Sequence, residues 1–321
     1  MKPIRFAVIG TNFISDRFAD AVSCTEGAEI SAVISRKRET ADAFADKYGI
    51  PHRFAEPSEA LGSDTFDALY IATPNFTHKE IALRALRAGK HVLCEKIVAD
   101  SLSDFLEMRS CAKERGLVLL EAMRPDFDPA YDVIRNALPR LGTLRRASLE
   151  YDQYSSRYDS FRRGEVLPAF DPSIGNNALA DIGIYPLHMA VSLFGKPSAA
   201  VSLGIPLANG FHGAGVILMT DAGKHMTVTV TYSKITDSVN PSVIEGEDGA
   251  LTFRPVSSPT EIVFTPRRGE REILFSRAPY NNMEHEVRAF LAMIDGKLDP
   301  EPFLDVSAQT LEIYDTVRSE T

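Results

Sequence analysis

Two hydrophobic periods alternate through the first 122 residues. Short, nearly continuous apolar runs fall at 4–10, 29–35, 68–73, 91–96 and 118–122. Runs of that length suit strands buried on both faces of a parallel sheet. Between them, residues 13–23, 39–48, 77–88 and 101–115 carry apolar side chains at helical spacing. Thr77 and Ser101 stand where N-caps belong, and Gly89 and Gly116 stand where helices end. This alternation predicts an α/β domain with a doubly wound parallel sheet.

The pattern changes near residue 143. Strand-like stretches follow at 144–154, 199–205, 215–219, 226–232, 243–245, 251–253, 261–265 and 272–275. Turn residues such as Asp221-Ala222-Gly223 and Asp248-Gly249 separate them. They predict an open, mostly antiparallel sheet, with helices over 179–194, 282–295 and 306–319. The economical arrangement is two domains with a cleft between them. Doubly wound sheets bind ligands, dinucleotides among them, at their strand ends, so residues 1–122 are expected to form a dinucleotide-binding domain and 123–321 an α+β domain, with the 306–319 helix packing back on the first.

Charge narrows the function. The chain has 35 Lys and Arg against 44 Asp and Glu, a formal net charge of −9. That excludes a basic nucleic-acid surface and docking on anionic lipid. No apolar run approaches a membrane span. The chain enters its first strand almost at once, without the charged and apolar regions of a signal peptide, so a cytoplasmic location is expected. Cys24, Cys94 and Cys111 are odd in number and widely spaced. They predict buried free thiols rather than disulfides or a metal site.

The candidate chemistry begins where the first strand stops. Gly10-Thr11-Asn12-Phe13-Ile14-Ser15 links strand to helix, the place where free N–H groups cradle a pyrophosphate. The usual fingerprint is G-x-G-x-x-G, and two of its three glycines are missing. Asn tolerates a left-handed backbone better than most residues, and Ser is small enough for close packing. After the second strand, Ser35-Arg36-Lys37-Arg38 occupies the ribose-reading position with no acid before Glu39. Guanidinium and hydroxyl groups suit a 2′-phosphate, which favours NADP(H) over NAD(H).

Further strand ends carry Thr73-Pro74-Asn75, with His78 just inside the next helix, and Cys94-Glu95-Lys96. A lysine at a buried strand end is costly unless paired or functional. On the 179–194 helix, Asp181, Tyr185 and His188 recur at i, i+4 and i+7 and share a face, with Pro186 disturbing the first turns. Hydride transfer at a carbinol needs a group that takes or gives the hydroxyl proton. A tyrosine serves when a nearby cation lowers its pKa, and Lys96 is the candidate cation. Asp181 and His188 are candidates to orient substrate or relay the proton. Tyr154, Arg157 and Tyr158 are candidates to line the substrate site.

An ordered set of segments resembles the Gfo/Idh/MocA oxidoreductases over nearly the whole length. It comprises Ala7-Val8-Ile9-Gly10-Thr11, residues 73–78, the Ala88 to Lys96 stretch, Glu121-Ala122-Met123-Arg124, and residues 178–185. The resemblance implies an N-terminal Rossmann domain that holds NADP or NAD. It also implies a C-terminal sheet that serves substrate and an oligomer partner. Lys96 takes the place of the family's catalytic lysine. Tyr185 stands where one branch has histidine, like the tyrosine-type branch with glucose–fructose oxidoreductase and dihydrodiol dehydrogenase. The substrate it implies is a polyol, sugar or cyclitol. Three departures stand out: Ile97 in place of proline, Asn12 and Ser15 in place of glycines, and Asn176-Asn177 where two glycines usually stand. They leave room for a rival, a cofactor-binding regulator or catalytically impaired protein on this scaffold. A homodimer or higher even oligomer through the C-terminal sheet is expected, because three helices leave apolar sheet surface uncovered.

Overall fold

Each apolar run of the first half becomes a strand, and each amphipathic stretch a helix, in a computed structural model that describes residues 2–221 and 223–318. The elements are β1 (Ile4–Ile9), α1 (Phe13–Ser23), β2 (Ala28–Ile34), α2 (Arg38–Tyr48), β3 (His52–Phe54), α3 (Pro57–Leu61), β4 (Ala68–Ile71), α4 (His78–Arg87), β5 (His91–Glu95), α5 (Leu102–Glu114) and β6 (Leu119–Ala122). Among the described residues, the six strands form one parallel sheet in the order β3-β2-β1-β4-β5-β6. The chain leaves β1 in one direction for β2 and β3, then crosses to its other side for β4. That reversal lies between β1 and β4 and opens the crevice where open α/β sheets bind ligands. The short β3 and α3 escaped the periodicity because three and five residues do not complete a period.

The second half contributes α6 (Pro129–Ala137), β7 (Leu144–Asp152), α7 (Tyr158–Arg162), α8 (Ile184–Phe194), β8 (Ala199–Pro206), β9 (His212–Asp221), β10 (Met226–Ser233), β11 (Ser242–Gly246), β12 (Gly249–Arg254), β13 (Glu261–Pro266), β14 (Glu272–Ser276), α9 (Met283–Ile294) and α10 (Glu301–Arg318). The sheet order is β14-β13-β12-β11-β7-β10-β9-β8. Every neighbouring pair is antiparallel except β7 with β10. Val228, Val230 and Tyr232 point to the buried face, against α8. Their neighbours Thr227, Thr229 and Thr231 point to the open face. The apolar part of that open face lies on β8 and β9, where Val201, Leu203, Ile205 and Leu218 are all more than half exposed. Within the expected 306–319 helix, Ser319 lies outside the described residues, as does Ala222 of the turn before β10.

The chain divides into two units. One holds the segment up to Phe127 with Asn281–Asp305, and the other Asp128–Tyr280 with the chain from Val306 onward. The return to the nucleotide-type unit is thus made by α9, one helix earlier than expected. The cause is its apolar stripe: Met283, Val287, Phe290 and Met293 join Phe6, Phe18 and Tyr70 in one buried cluster. Phe18 stacks on Tyr70 with centroids 3.7 Å apart. Among the thiols only Cys94 is buried, while Cys24 is exposed at the C-cap of α1, contrary to the expectation for all three. No helix among the described residues is long and apolar enough to cross a membrane.

Candidate active site

The glycine that survives from the fingerprint is the one the geometry demands. Gly10 has φ +96°, and a Cβ there would lie 2.4 Å from the Ala72 carbonyl oxygen at the end of β4. The two replaced glycines are not needed as glycines. Asn12 is extended at φ −97° rather than left-handed. Its Oδ1 accepts from Ile14 N and its Nδ2 donates to Ala72 O, both at 2.9 Å, so it caps α1 and staples β1 to β4. Ser15 is fully buried, and its hydroxyl donates to Gly10 O at 2.9 Å.

Beside this turn lies a cavity of about 720 Å³ over the carboxyl ends of β1, β2 and β4. Gly10, Asn12, Ser35, Arg36, Thr73 and Pro74 line it, as expected. Lys37, from the same ribose-reading stretch, lines it too, as do Thr40, Phe76 and Thr77, which were not anticipated as site residues. Thr40 bonds the Ser35 hydroxyl and the Lys37 carbonyl, which fixes the loop that carries Arg36. The cavity's polar lining combines two cations, Arg36 and Lys37, with four hydroxyls, Ser35, Thr40, Thr73 and Thr77, and its glycine admits close backbone approach. These residues fit the adenosine and phosphate end of a dinucleotide.

Other expected cofactor contacts sit elsewhere. Arg38 turns away to pair with Asp42 at 3.1 Å, one helical turn on. Phe13 is 64% exposed on α1, and Thr11, Ile14 and Asn75 are not among the cavity's lining residues. His78 is fully buried, with Nδ1 2.9 Å from Ile97 O and Nε2 2.9 Å from Thr73 O. Burial holds its imidazole below the ordinary histidine value. Its place is beneath the site, tying the β4 loop to the β5 loop. Arg124 is buried, with Nη1 donating to Asn282 Oδ1 at 3.2 Å.

Lys96 follows β5 and is half-buried. Its peptide bond to Ile97 is cis. The turn it occupies is held from three sides. Tyr70 donates its hydroxyl to Glu95 Oε1 at 2.5 Å, His78 contacts Ile97 O, and Val98 N donates to Glu121 Oε1 at 3.1 Å. Burial raises the Glu95 carboxyl, opposed by the Tyr70 hydrogen bond and the Lys96 and Arg124 charges. Glu286, on α9, is fully buried with neither carboxylate oxygen hydrogen-bonded. Burial first, then the Glu95 charge, pushes it well above the glutamate range.

In the other unit, the expected 179–194 helix starts as a π-helical turn, Leu179–Gly183, and becomes α-helical at Ile184. Pro186, which has no N–H to donate, sits in the first turn of α8, so the disturbance expected of it is there. Asn177 starts the turn: its Oδ1 accepts from Ala180 N at 2.8 Å, while Asn176 donates to Pro168 O at 2.8 Å. Gly183 lies against the Tyr232 ring, 2.7 Å from where a Cβ would be. Tyr185 is 6% exposed, with its ring 5.6 Å from that of Tyr151. His188 is fully buried, with Nδ1 3.4 Å from Thr310 Oγ1, which turns its ring toward α10. Asp181 pairs with Lys234 at 2.7 Å. Tyr154 donates to Asp159 at 2.8 Å, Tyr158 stacks among Phe161 and Phe170, and Arg157 is exposed at the start of α7. Lys234 escaped the sequence analysis because a lone lysine after a strand carries no periodic or motif signal.

Comparison with known proteins places these features in context. A family model described as an oxidoreductase family with an NAD-binding Rossmann fold, GFO_IDH_MocA, matches residues 4–123. The chain is 40% identical to scyllo-inositol 2-dehydrogenase (NADP(+)) IolU of Bacillus subtilis, over 99% of this chain and 97% of that one. It is 28% identical to trans-1,2-dihydrobenzene-1,2-diol dehydrogenase of Mus musculus, over 83% and 79%. Among solved structures, KijD10, a 3-ketoreductase from Actinomadura kijaniata in complex with NADP and TDP-benzene, superposes with a TM-score of 0.87 at 25% identity. That match covers 99% of this chain and 98% of the other.

Proposed function

The chain belongs to the Gfo/Idh/MocA oxidoreductase family, and on that premise we propose that it is an NADP-dependent dehydrogenase that oxidises one secondary hydroxyl of a cyclitol or related sugar-like polyol. Dehydrogenase chemistry on CH–OH groups is common to the curated relatives, an inositol dehydrogenase and a dihydrodiol dehydrogenase. The observation that carries the cofactor choice is the Ser35-Arg36-Lys37-Thr40 wall of the cavity, which offers charge and hydroxyls but no carboxylate. A ribose 2′-phosphate is matched by that wall, whereas a free 2′-hydroxyl calls for an acid.

Bound NADP+ supplies the hydride acceptor. The protein's residues supply the rest. Gly10 and Asn12 give the pyrophosphate its backbone approach, and Arg36 binds the 2′-phosphate. Tyr185 takes the substrate's hydroxyl proton at its Oη, and the Lys96 ammonium favours the ionised partner in that transfer. Asp181 accepts a hydrogen bond from a substrate hydroxyl. Retention of this set argues against a regulator that merely holds the cofactor. The exposed apolar residues of β8 and β9 fit a second copy of the chain, joined through the open sheet face.

The test is NADPH formation from scyllo-inositol, myo-inositol and D-glucose. Lys96→Ala and Tyr185→Phe should each lower turnover about a hundredfold or more, the usual worth of a positioned acid or base. Tyr185→Phe should keep NADPH affinity by fluorescence titration. Turnover within a few-fold of wild type in Tyr185→Phe would refute the assignment, and NADPH binding with no polyol turned over would favour the regulator.

A further inference from the structure

Lys234, just past the end of β10, is 5% exposed. A buried ammonium must be paired and hydrogen-bonded or it neutralises. Here it is paired and enclosed. Its Nζ lies 2.7 Å from Asp181 Oδ2 and donates to the Ala169 carbonyl at 3.0 Å. It also sits 4.9 Å from the centre of the Phe170 ring and 5.5 Å from that of Phe211. Lys234 therefore joins three stretches that are far apart in sequence: the end of β10, the irregular segment before Asn176, and the π-helical turn that carries Asp181. That segment is pinned at two further carbonyls, with Asn176 donating to Pro168 O and Asn209 to Phe170 O, both at 2.8 Å.

Burial within the pair is lopsided. The lysine side chain is 6% exposed and the aspartate side chain 48%. A pair kept for stability alone is poorly placed there, because desolvating an ammonium is costly and an apolar side chain of equal size packs as well or better. The desolvated member is the lysine, while the carboxylate reaches solvent. Such an arrangement fixes the direction of a carboxylate that something outside the protein can meet. Side chains that hold a ligand-binding group in place in this way act by pre-organisation.

We propose that Lys234 is a positioning residue that orients Asp181 to receive a hydroxyl of the polyol substrate. The proposal rests on the assignment of Asp181 to substrate under the function above. It predicts that Lys234 acts through Asp181 and through nothing else in turnover, with the cofactor site untouched.

The test is a double-mutant cycle on the full-length enzyme with scyllo-inositol and NADP+. Lys234→Met, which fills the same space beneath the two rings, should lower kcat/KM about 10- to 100-fold, mostly through KM, while NADPH affinity stays within about twofold. The Kd of scyllo-inositol for the NADPH-loaded enzyme should rise in parallel. Lys234→Arg should restore most of the loss. In an Asp181→Asn background, Lys234→Met should change kcat/KM by less than about threefold, the signature of two residues acting as one unit. Multiplicative losses in the double variant would overturn the Lys234 assignment alone. Equal losses in the Met and Arg variants, accompanied by lowered melting temperature, would also overturn it and leave a structural role. Full activity of Asp181→Asn by itself would overturn the site assignment and the Lys234 proposal together.

Discussion

Gly10→Ala should damage the nucleotide unit more than any exposed glycine substitution in it, and the size of the effect follows from two separable terms. The first is conformational. At φ +96° an alanine pays for a sparsely populated backbone region, about 1–3 kcal/mol. The second is steric. The new Cβ would lie 2.4 Å from Ala72 O and 2.9 Å from Ala72 C, and that peptide cannot swing aside. Its carbonyl is held by Asn12 Nδ2, and in the preceding peptide the Ala72 N–H donates to Ile9 O at 3.0 Å. Forcing β1 and β4 apart by a few tenths of an ångström or more falls in the overpacking range of about 1–3 kcal/mol. Together they predict a loss of about 2–6 kcal/mol, or a melting temperature lower by roughly 4–24 °C for a unit of this size. Gly49→Ala separates the two terms. Gly49 has φ +68° with nothing within 4 Å, so only the conformational cost of about 1–2 kcal/mol applies. Calorimetry of both variants and NADPH titration by fluorescence check the argument. Equal destabilisation in the two variants, with cofactor affinity retained in Gly10→Ala, would refute the claim that the Ala72 contact makes this glycine obligatory.

Arg36→Ala should weaken NADP(H) by about 1.5–3 kcal/mol and leave NAD(H) nearly unchanged, measured by titration with both cofactors; equal losses would remove the 2′-phosphate assignment. Glu286→Gln should flatten the pH dependence of stability. Burial raises this carboxyl far above the glutamate range, so its contribution is fully present at low pH. That contribution is lost as rising pH strips the proton from the unfolded chain while the folded one retains it. The melting temperature of the glutamine variant relative to wild type should therefore climb from about pH 5 to pH 8, and a constant difference would contradict a neutral buried acid. Leu203→Lys, placed where the open sheet face is 73% exposed, should shift light scattering from a dimer to a monomer mass. A wild-type monomer at micromolar concentration would end the assembly proposal.

Much of the architecture was legible because both sheets announce themselves through period. The parallel strands are solid apolar runs, and the second sheet alternates, as Met226 to Tyr232 shows with Val228 and Val230 inward and threonines outward. Elements shorter than a period, such as β3, gave nothing to count. The α6 helix was missed although Asp128 caps it and Pro129 occupies its first position, the ordinary signals of a helix start. At the cavity, lining residues defined by strand ends were legible: Gly10, Ser35, Arg36, Thr73 and Pro74. Residues whose role depends on side-chain direction were not. Arg38 and Arg36 are two positions apart, yet one faces Asp42 and the other the cavity. His78 looked like a cofactor contact at a helix start, but both ring nitrogens face backbone carbonyls. Asn12 and Ser15 looked like departures from a glycine pattern, whereas each supplies a hydrogen bond that a glycine could not.

The nucleotide unit is discontinuous, and that has a consequence for how the polypeptide is made. All six strands of its sheet have been translated once Ala122 emerges. The helix that covers them has not: Phe290, whose ring lies 5.9 Å from that of Phe6, is encoded far downstream. At about 5–20 residues per second, the ribosome needs roughly 10–35 seconds to add the intervening roughly 170 residues. For that interval a nascent chain carries a finished sheet with an apolar face open to water or to a chaperone. Release of the last segment, rather than synthesis of the sheet, sets the moment at which this half of the molecule can close.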